Sequence, residues 1–204
     1  AVLVAEGSAT EPGVVDFGSL DGDASYMFYF TAIKAGASTA IAGDNAFAIK
    51  LDQWNEQGLF GTTQFGVADN LFSVVDGQSV ASVFDTPVHV VIVSDSAAGE
   101  SHLYINGVLS GRWPGSIPLS GQVKVMGARL EQATDHMGRG SAMHAWATHA
   151  GQLTAAEVAS LYESRPEVVQ AGAISSVALS GGNVVIEYTG TLKSASSVSG
   201  PYSA

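Results

Sequence analysis

The sequence predicts an all-β fold, a two-sheet antiparallel β-sandwich with one short helix toward its C-terminal side. Residues 88–93 form an apolar run rich in β-branched side chains, which is typical of a strand buried on both faces. The dipeptide Asn106-Gly107 lies between two short apolar runs and favours a hairpin, because both residues of a type I′ turn need positive φ. The 24 glycines and the low share of charged residues fit many short strands joined by turns.

The Asn106-Gly107 hairpin also predicts a register, since a two-residue turn fixes which residues of the two strands face each other. The expected cross-strand pairs are Ile105 with Val108, Tyr104 with Leu109, and Leu103 with Ser110. Residues two apart in a strand share a face, so Leu103 and Ile105 are expected on one side of the sheet and Tyr104 on the other.

Other strands are indicated by β-rich segments that Gly, Asp or Asn separate. They comprise residues 14–18, 26–33, 38–42, 47–51, 59–65, 71–75, 79–83, 122–126 and 143–148. Residues 26–33 are apolar on both faces, which predicts a central strand with both sides covered. The dipeptide Asp76-Gly77 predicts that residues 71–75 and 79–83 pair as a second hairpin.

One helix is well signalled, just before Pro166. Thr154 and Glu157 have the spacing of a capping box, in which each side chain bonds the backbone N–H of the other residue. Val158, Leu161 and Tyr162 form an apolar face at helical spacing. We expect this helix to close the sandwich at its edge, and the composition changes after it. The sandwich domain is therefore expected at residues 1–166, and residues 167–204 as a linker and short β-hairpin tail or the start of a following module.

Composition limits the partners of the protein. The formal net charge of −11 disfavours nucleic acid and anionic membranes, which bind basic patches. No apolar run approaches the roughly 20 residues that a membrane-spanning helix needs, so membrane insertion is not expected. The absence of cysteine excludes disulfides and thiolate metal sites, and it fits the cytosol or a bacterial secreted protein.

Four short motifs resemble, in their order, the laminin-G-like, concanavalin-A-like jelly-roll modules of bacterial secreted proteins. They are the run at residues 88–93, Leu-Tyr-Ile-Asn-Gly at 103–107, Val-Met-Gly-Ala-Arg at 125–129 and Leu-Thr-Ala-Ala-Glu at 153–157. The resemblance covers roughly residues 12–165. It implies a secreted or cell-surface, non-catalytic module that binds a glycan or an extracellular protein or acts as a spacer, often with one Ca²⁺ at its rim. Met143-His144-Ala145-Trp146 replaces the acidic pair of many members, so their calcium site does not carry over.

Glycan binding usually combines an exposed aromatic ring with planar hydrogen-bonding side chains. The best such cluster is Trp54 with Asn55 and Glu56, and the second is Arg112 with Trp113. The alternative for Trp54 is a loop anchor packed down on the sheet.

Calcium takes hard oxygen ligands, and the candidate residues for one structural Ca²⁺ are Asp44, Asn45, Glu131 and Asp135. The alternative for the Asp-Asn pair is turn formation. A laminarinase-type glycoside hydrolase is less favoured, because its Glu-x-Asp-x-x-Glu strand motif is absent. The sequence therefore favours a non-enzymatic carbohydrate-binding or adhesion module of a larger secreted protein, with a structural spacer or protein–protein interaction module as the alternative.

Overall fold

The computed structural model describes residues 13–20, 22–56, 58–131, 135–166, 174–180 and 183–188. The chain divides into two compact units, Ala1–Pro166 and Glu167–Ala204. In its described residues, the first unit contains twelve strands and one helix. They are β1 (Val14–Asp16), β2 (Ala24–Thr31), β3 (Thr39–Gly43), β4 (Phe47–Asp52), β5 (Gly61–Gln64), β6 (Ala68–Leu71), β7 (Ser73–Val74), β8 (Pro87–Asp95), β9 (Glu100–Ile105), β10 (Val108–Trp113), β11 (Gln122–Val125), β12 (Ala142–Ala150) and α1 (Ala155–Glu163). The described part of the second unit is β13 (Ile174–Ser180) paired antiparallel with β14 (Asn183–Tyr188).

The first unit is a sandwich of two antiparallel sheets, as the sequence predicts. Over the described residues, the first sheet has the strand order β1-β11-β3-β4-β5-β6 and the second has the order β12-β2-β8-β9-β10-β7. The strand β2 lies between β12 and β8, which confirms the central position expected for the aromatic segment.

The main hydrophobic core draws side chains from both sheets. Phe28 and Ile92 from the second sheet and Ile41 and Ile49 from the first all belong to it, and each is fully buried. Alternate residues of a strand point to opposite faces, so Val91 and Val93 lie on the outer face of the second sheet in a separate cluster.

Helix α1 covers this outer face of the second sheet, through Val158 packed in the cluster with Val91, Val93 and Tyr104. The prediction that this helix closes the edge of the sandwich is wrong, because its buried residue, Val158, packs on the outer face of the second sheet and not on an edge strand. The capping box is confirmed: the Glu157 amide donates to Thr154 Oγ1 at 3.3 Å, and the Thr154 amide donates to Glu157 Oε2 at 2.8 Å. Within the described residues, no helix has the length and apolar character needed to cross a membrane.

The central hairpin forms as predicted, with φ of +50° at Asn106 and +82° at Gly107. Ile105 pairs with Val108, and Tyr104 pairs with Leu109. The third expected pair, Leu103 with Ser110, is wrong. A bulge in β10 shifts the register by one residue, so Leu103 pairs with Gly111, and Trp113 further along β10 faces the core.

The hairpin predicted at Asp76-Gly77 is wrong for a different reason. The turn exists, with φ of +49° and +72° and a hydrogen bond from the Gln78 amide to the Val75 carbonyl. After the turn, however, the chain leaves β7 and runs to the first sheet, where the Phe60 amide bonds the Val80 carbonyl. Burial of Val80 in the main core draws the chain there.

Candidate functional site

The three tryptophans occupy very different environments. Trp54, in the loop between β4 and β5, is 58% exposed, whereas Trp113 is 8% exposed and packs edge-on against Phe47 with a centroid distance of 5.4 Å. Trp146 is half-buried and stacks on Phe17 at 5.2 Å. Of the three rings, Trp54 therefore offers the most surface to a ligand, and the Trp113 ring faces the protein interior.

The loop that carries Trp54 is fixed at its base by the buried residue Gln53. The Gln53 side-chain amide donates to the Thr62 carbonyl at 2.8 Å, and its oxygen accepts from the Trp54 amide at 3.3 Å. Because Gln53 is completely buried, these bonds are shielded from competing water. The position of the Trp54 backbone is thus set by the sheet.

Asp52, also completely buried, holds the other end of the loop. Its Oδ1 accepts from the Gly58 amide, and its Oδ2 forms an ion pair with the Lys34 ammonium at 2.9 Å. A buried carboxylate needs such partners, because its desolvation is costly. The loop is consequently anchored on both sides of Trp54.

Beside Trp54 lies an open groove with a volume of about 280 Å³, which we call the Trp54 groove. Its lining consists of Ala35, Gly36, Ala37, Ser38, Trp54, Asp135 and His136. The structure therefore brings together Trp54, expected as a glycan-stacking residue, and Asp135, expected as a calcium ligand. Asn55 and Glu56 are exposed in the same loop but do not line the groove.

Asp135 is fixed by a buried lysine. The Lys50 ammonium, on β4, is 1% exposed and donates to Asp135 Oδ2 and, at 3.0 Å, to Ser38 Oγ. The Asp135 carbonyl accepts from the Ala40 amide at 2.8 Å, which ties the residue to β3. A buried ammonium requires a counter-charge, so this pair places a carboxylate in the groove wall with its charge balanced from beneath.

His136 and Ser38 were not identified from the sequence as site residues. Burial and the nearby Lys124 ammonium lower the pKa of His136, and the Asp135 carboxylate opposes that shift. His136 is therefore neutral at physiological pH. Its position directly after Asp135 is the one sequence signal that could have found it, whereas nothing in the sequence places Ser38 near Trp54.

Arg112 and Trp113 do not join this site. Arg112 lies on β10 of the second sheet, where its guanidinium donates to Glu100 Oε1 at 2.7 Å. Hydrogen bonding from His102 and the adjacent Arg112 hold the pKa of Glu100 below its usual range. Glu100, His102 and Arg112 therefore form a separate ion-pair cluster at the surface of the second sheet.

The residues expected to bind calcium do not gather around one point. Asp44 Oδ1 accepts the amides of Ala46 at 2.6 Å and Phe47 at 2.7 Å, so this carboxylate closes a turn. Asn45 and Glu131 are exposed, and Asp135 is paired with Lys50. Across the residues that the structure describes, no group of three or more His, Asp or Glu side chains could hold a metal ion. These residues do not fit a Ca²⁺ site, and calcium binding stays a prediction of the sequence.

Three described carboxyl groups outside the Trp54 groove have a lowered pKa. A catalytic general acid needs a raised pKa. Hydrogen bonds from Gln152, His102 and Thr154 lower the pKa of Asp23, Glu100 and Glu157, respectively. The Trp54 groove combines an exposed aromatic ring with hydrogen-bonding side chains.

No family model and no curated protein matches the chain. Solved structures resemble it in fold. The binding domain of Paraclostridial Mosquitocidal Protein 1 gives a TM-score of 0.51 at 16% identity, covering 80% of this chain and 45% of that one. The receptor binding domain of botulinum neurotoxin D gives 0.51 at 13% identity, covering 80% and 47%.

A third structure, the binding domain of Botulinum Neurotoxin DC in complex with SialylT, gives a TM-score of 0.50 at 13% identity, covering 75% of this chain and 39% of that one. The chain thus spans less than half the length of each of these structures. At such identities the likeness shows the fold: the first unit is a β-sandwich similar to those in toxin binding domains. A laminin-G-like family membership stays a prediction.

Proposed function

We propose that the first unit is a non-catalytic carbohydrate-binding or adhesion module of a larger secreted protein, and that it binds a sugar ring on Trp54. The observation that carries this proposal is the 58% exposure of Trp54 at a groove that also contains Asp135 and His136. An aromatic face beside a few fixed polar groups is the usual composition of a sugar site.

The loop that carries Trp54 is anchored, which favours a high affinity for a ligand at this ring. Ordering a mobile side chain or loop on binding reduces affinity, whereas a preformed site avoids that cost. Gln53 and Asp52 fix the loop through buried hydrogen bonds before any ligand arrives. The groove of about 280 Å³ is large enough for a single sugar ring, which fits recognition of a glycan end or branch.

The charges favour an uncharged sugar. Asp135 presents a carboxylate acceptor to ligand hydroxyls, while the Lys50 ammonium beneath it is buried and already bonded. His136 is neutral, since its pKa is lowered, and the chain carries a formal net charge of −11. A sialylated ligand, such as the one named for a structural neighbour, would meet a negative surface here.

The larger context is inferred from the resemblance and from the neighbours. The named neighbours are binding domains of toxins, and this chain spans less than half of their length. We therefore expect a secreted or cell-surface bacterial protein in which other segments accompany this module.

A glycan array with neutral and sialylated glycans, followed by titration calorimetry of the best ligand, tests the proposal. We expect binding to a neutral glycan, and we expect Trp54→Ala to weaken it at least tenfold, about 1.4 kcal/mol. Since Trp54 is exposed, the melting temperature should change little. Asp135→Asn should weaken binding as well, because an amide is a poorer acceptor than a carboxylate, and it should lower the melting temperature, because the buried Lys50 ammonium loses its counter-charge.

The matched control is Val67→Ala, which removes another exposed apolar side chain, 73% accessible, outside the groove lining. It should bind like the parent protein. An array without any binding, or a Trp54→Ala variant with parental affinity, contradicts the proposal. A protein that binds no glycan would instead favour the alternative, a structural spacer or protein–protein interaction module.

A further inference from the structure

A second pocket lies on the other sheet, away from the Trp54 groove. It has a volume of about 140 Å³ and sits between the outer face of the second sheet and the C-terminal end of α1. The sheet contributes Met27, Tyr29, His89 and Ala145, and the helix end contributes Leu161 and Arg165. We call this the helix pocket.

The unusual group in the helix pocket is the imidazole of His89. The residue is 1% exposed, and neither ring nitrogen has a hydrogen-bond partner among the described residues. Its backbone is satisfied, because its amide donates to Asn106 Oδ1 at 3.0 Å and its carbonyl accepts from the Asn106 amide at 2.8 Å. A buried polar ring without a hydrogen-bond partner lowers the stability of the fold, so a ligand that pairs with this ring would offset that cost.

The protonation state of His89 defines what it could bind. Burial and the Arg165 guanidinium lower its pKa to about 4. At physiological pH the ring is neutral, with one nitrogen as a donor and the other as an acceptor. A hydroxyl group can serve either nitrogen, because it both donates and accepts.

Besides His89, the lining of the helix pocket has one aromatic ring, four apolar residues and two polar ones: Tyr29, then Met27, Ala145, Leu161 and Pro166, then Ser164 and Arg165. Further aromatic rings lie next to these residues. The ring centroids of His89 and Tyr162 are 5.8 Å apart, and those of Tyr29 and His144 are 5.2 Å apart. The Arg165 guanidinium lies over the Tyr162 ring at 3.7 Å. This cation already covers an aromatic face and would repel a cationic ligand.

We propose that the helix pocket binds a small neutral ligand with a single hydroxylated aromatic ring, that is, a phenol whose hydroxyl pairs with His89. The volume supports one ring, since an engineered apolar cavity of about 150 Å³ in another protein binds benzene. A sugar is disfavoured, because most of the lining is apolar and the few polar groups there could not pair with all of its hydroxyls. This site is independent of the proposed glycan site.

Ligand titrations on the full chain, followed by NMR chemical shifts and by the melting temperature, test the site with phenol, benzene and benzoate. Phenol should bind saturably and raise the melting temperature, at least tenfold more tightly than benzene. His89→Phe keeps an aromatic ring but removes the nitrogens, and it should abolish the preference for phenol. Val67→Ala, which shortens an exposed side chain that does not line the helix pocket, should bind phenol like the parent protein.

A second variant tests the pocket even if His89→Phe does not fold. Leu161→Phe enlarges a half-buried side chain on the helix side of the pocket while His89 stays intact, and it should abolish phenol binding. Equal affinity for phenol and benzene would overturn the role of His89. Tighter binding of benzoate than of phenol would instead show an anion site governed by Arg165. No binding of phenol would contradict the proposal that the helix pocket binds a phenol. Because the glycan experiment uses the other sheet, the two proposals fail separately.

Discussion

At the scale of single residues, His89 should make the stability of the fold depend on pH. Its pKa is about 4 in the folded state against 6.5 for an ordinary histidine. Above pH 6.5 the ring is neutral in both states and contributes nothing to the pH dependence. Between pH 6.5 and 4 the unfolded chain binds a proton that the folded chain does not, so the free energy of unfolding falls, by about 3 kcal/mol in total. Below pH 4 both states are protonated and the loss stops.

Denaturant titrations of the parent protein and of His89→Phe at pH 7 and pH 4 measure this contribution. The groups around His89 are Tyr162 of α1, Arg165 just after this helix, Tyr29 of β2 and, beside Tyr29, His144 of β12. Burial lowers the pKa of His144 too, so it acts in the same direction. The difference between the two proteins isolates His89, and the variant should lose less stability on acidification. Equal losses would contradict the buried, neutral state of this ring.

Individual side chains were predictable where one local pattern decides their environment. The alternation along β8 predicts that His89 lies on the other face of the sheet from Val88 and Val90. The sequence does not reveal that helix α1 covers this face at His89. Trp54 and Trp113 look alike in the sequence, since both have polar neighbours. Packing against Phe47, which is remote in sequence, buries Trp113, and no local pattern contains that contact.

At the scale of elements, the turn at Asn106-Gly107 also supports the helix. A Cβ added at Gly107 would lie 3.1 Å from Tyr162 Cβ, and φ there is +82°. Gly107→Ala should therefore lower the free energy of unfolding by about 1–2 kcal/mol, from backbone strain and from displacement of α1. Denaturant titration measures the change.

The matched control for that substitution is Gly99→Ala, in the turn between β8 and β9. Gly99 has φ of +63°, but an added Cβ would meet no atom within 4 Å. It carries the backbone strain without the contact to Tyr162, so it should cost less than Gly107→Ala. An equal cost for both variants would show that the hairpin turn does not support the helix.

The elements themselves were largely predictable, because turn dipeptides and the capping box act locally. The two hairpin errors have a common physical cause. The bulge in β10 and the departure of the chain after Asp76-Gly77 each accompany the burial of a later apolar residue in the main core. Trp113 reaches the core after the bulge and Val80 reaches it after the turn, and this tertiary packing overrides the local turn signal.

At the scale of the whole molecule, the sandwich was predictable and the Trp54 groove was not. The groove is assembled from residues 35–38, Trp54 and residues 135–136, which are far apart in sequence. The buried Lys50 ammonium links two of these segments, because it donates to Ser38 Oγ and forms an ion pair with Asp135. A lysine in an apolar strand and an aspartate in a loop carry no signal of pairing, so their contact emerges only from the complete fold.

The first unit should fold independently of the residues that follow Pro166. The residues of its described hydrophobic clusters all lie between Phe17 and Val158, and both pockets are lined by residues up to Pro166. A chain ending at Pro166 should therefore fold cooperatively, since one core cluster spans two sheets. Near-ultraviolet circular dichroism during a thermal melt measures this, and glycan and phenol titrations should give affinities within about twofold of the full chain, well under 1 kcal/mol. A fragment without a cooperative transition would show that residues after Pro166 belong to the same folding unit.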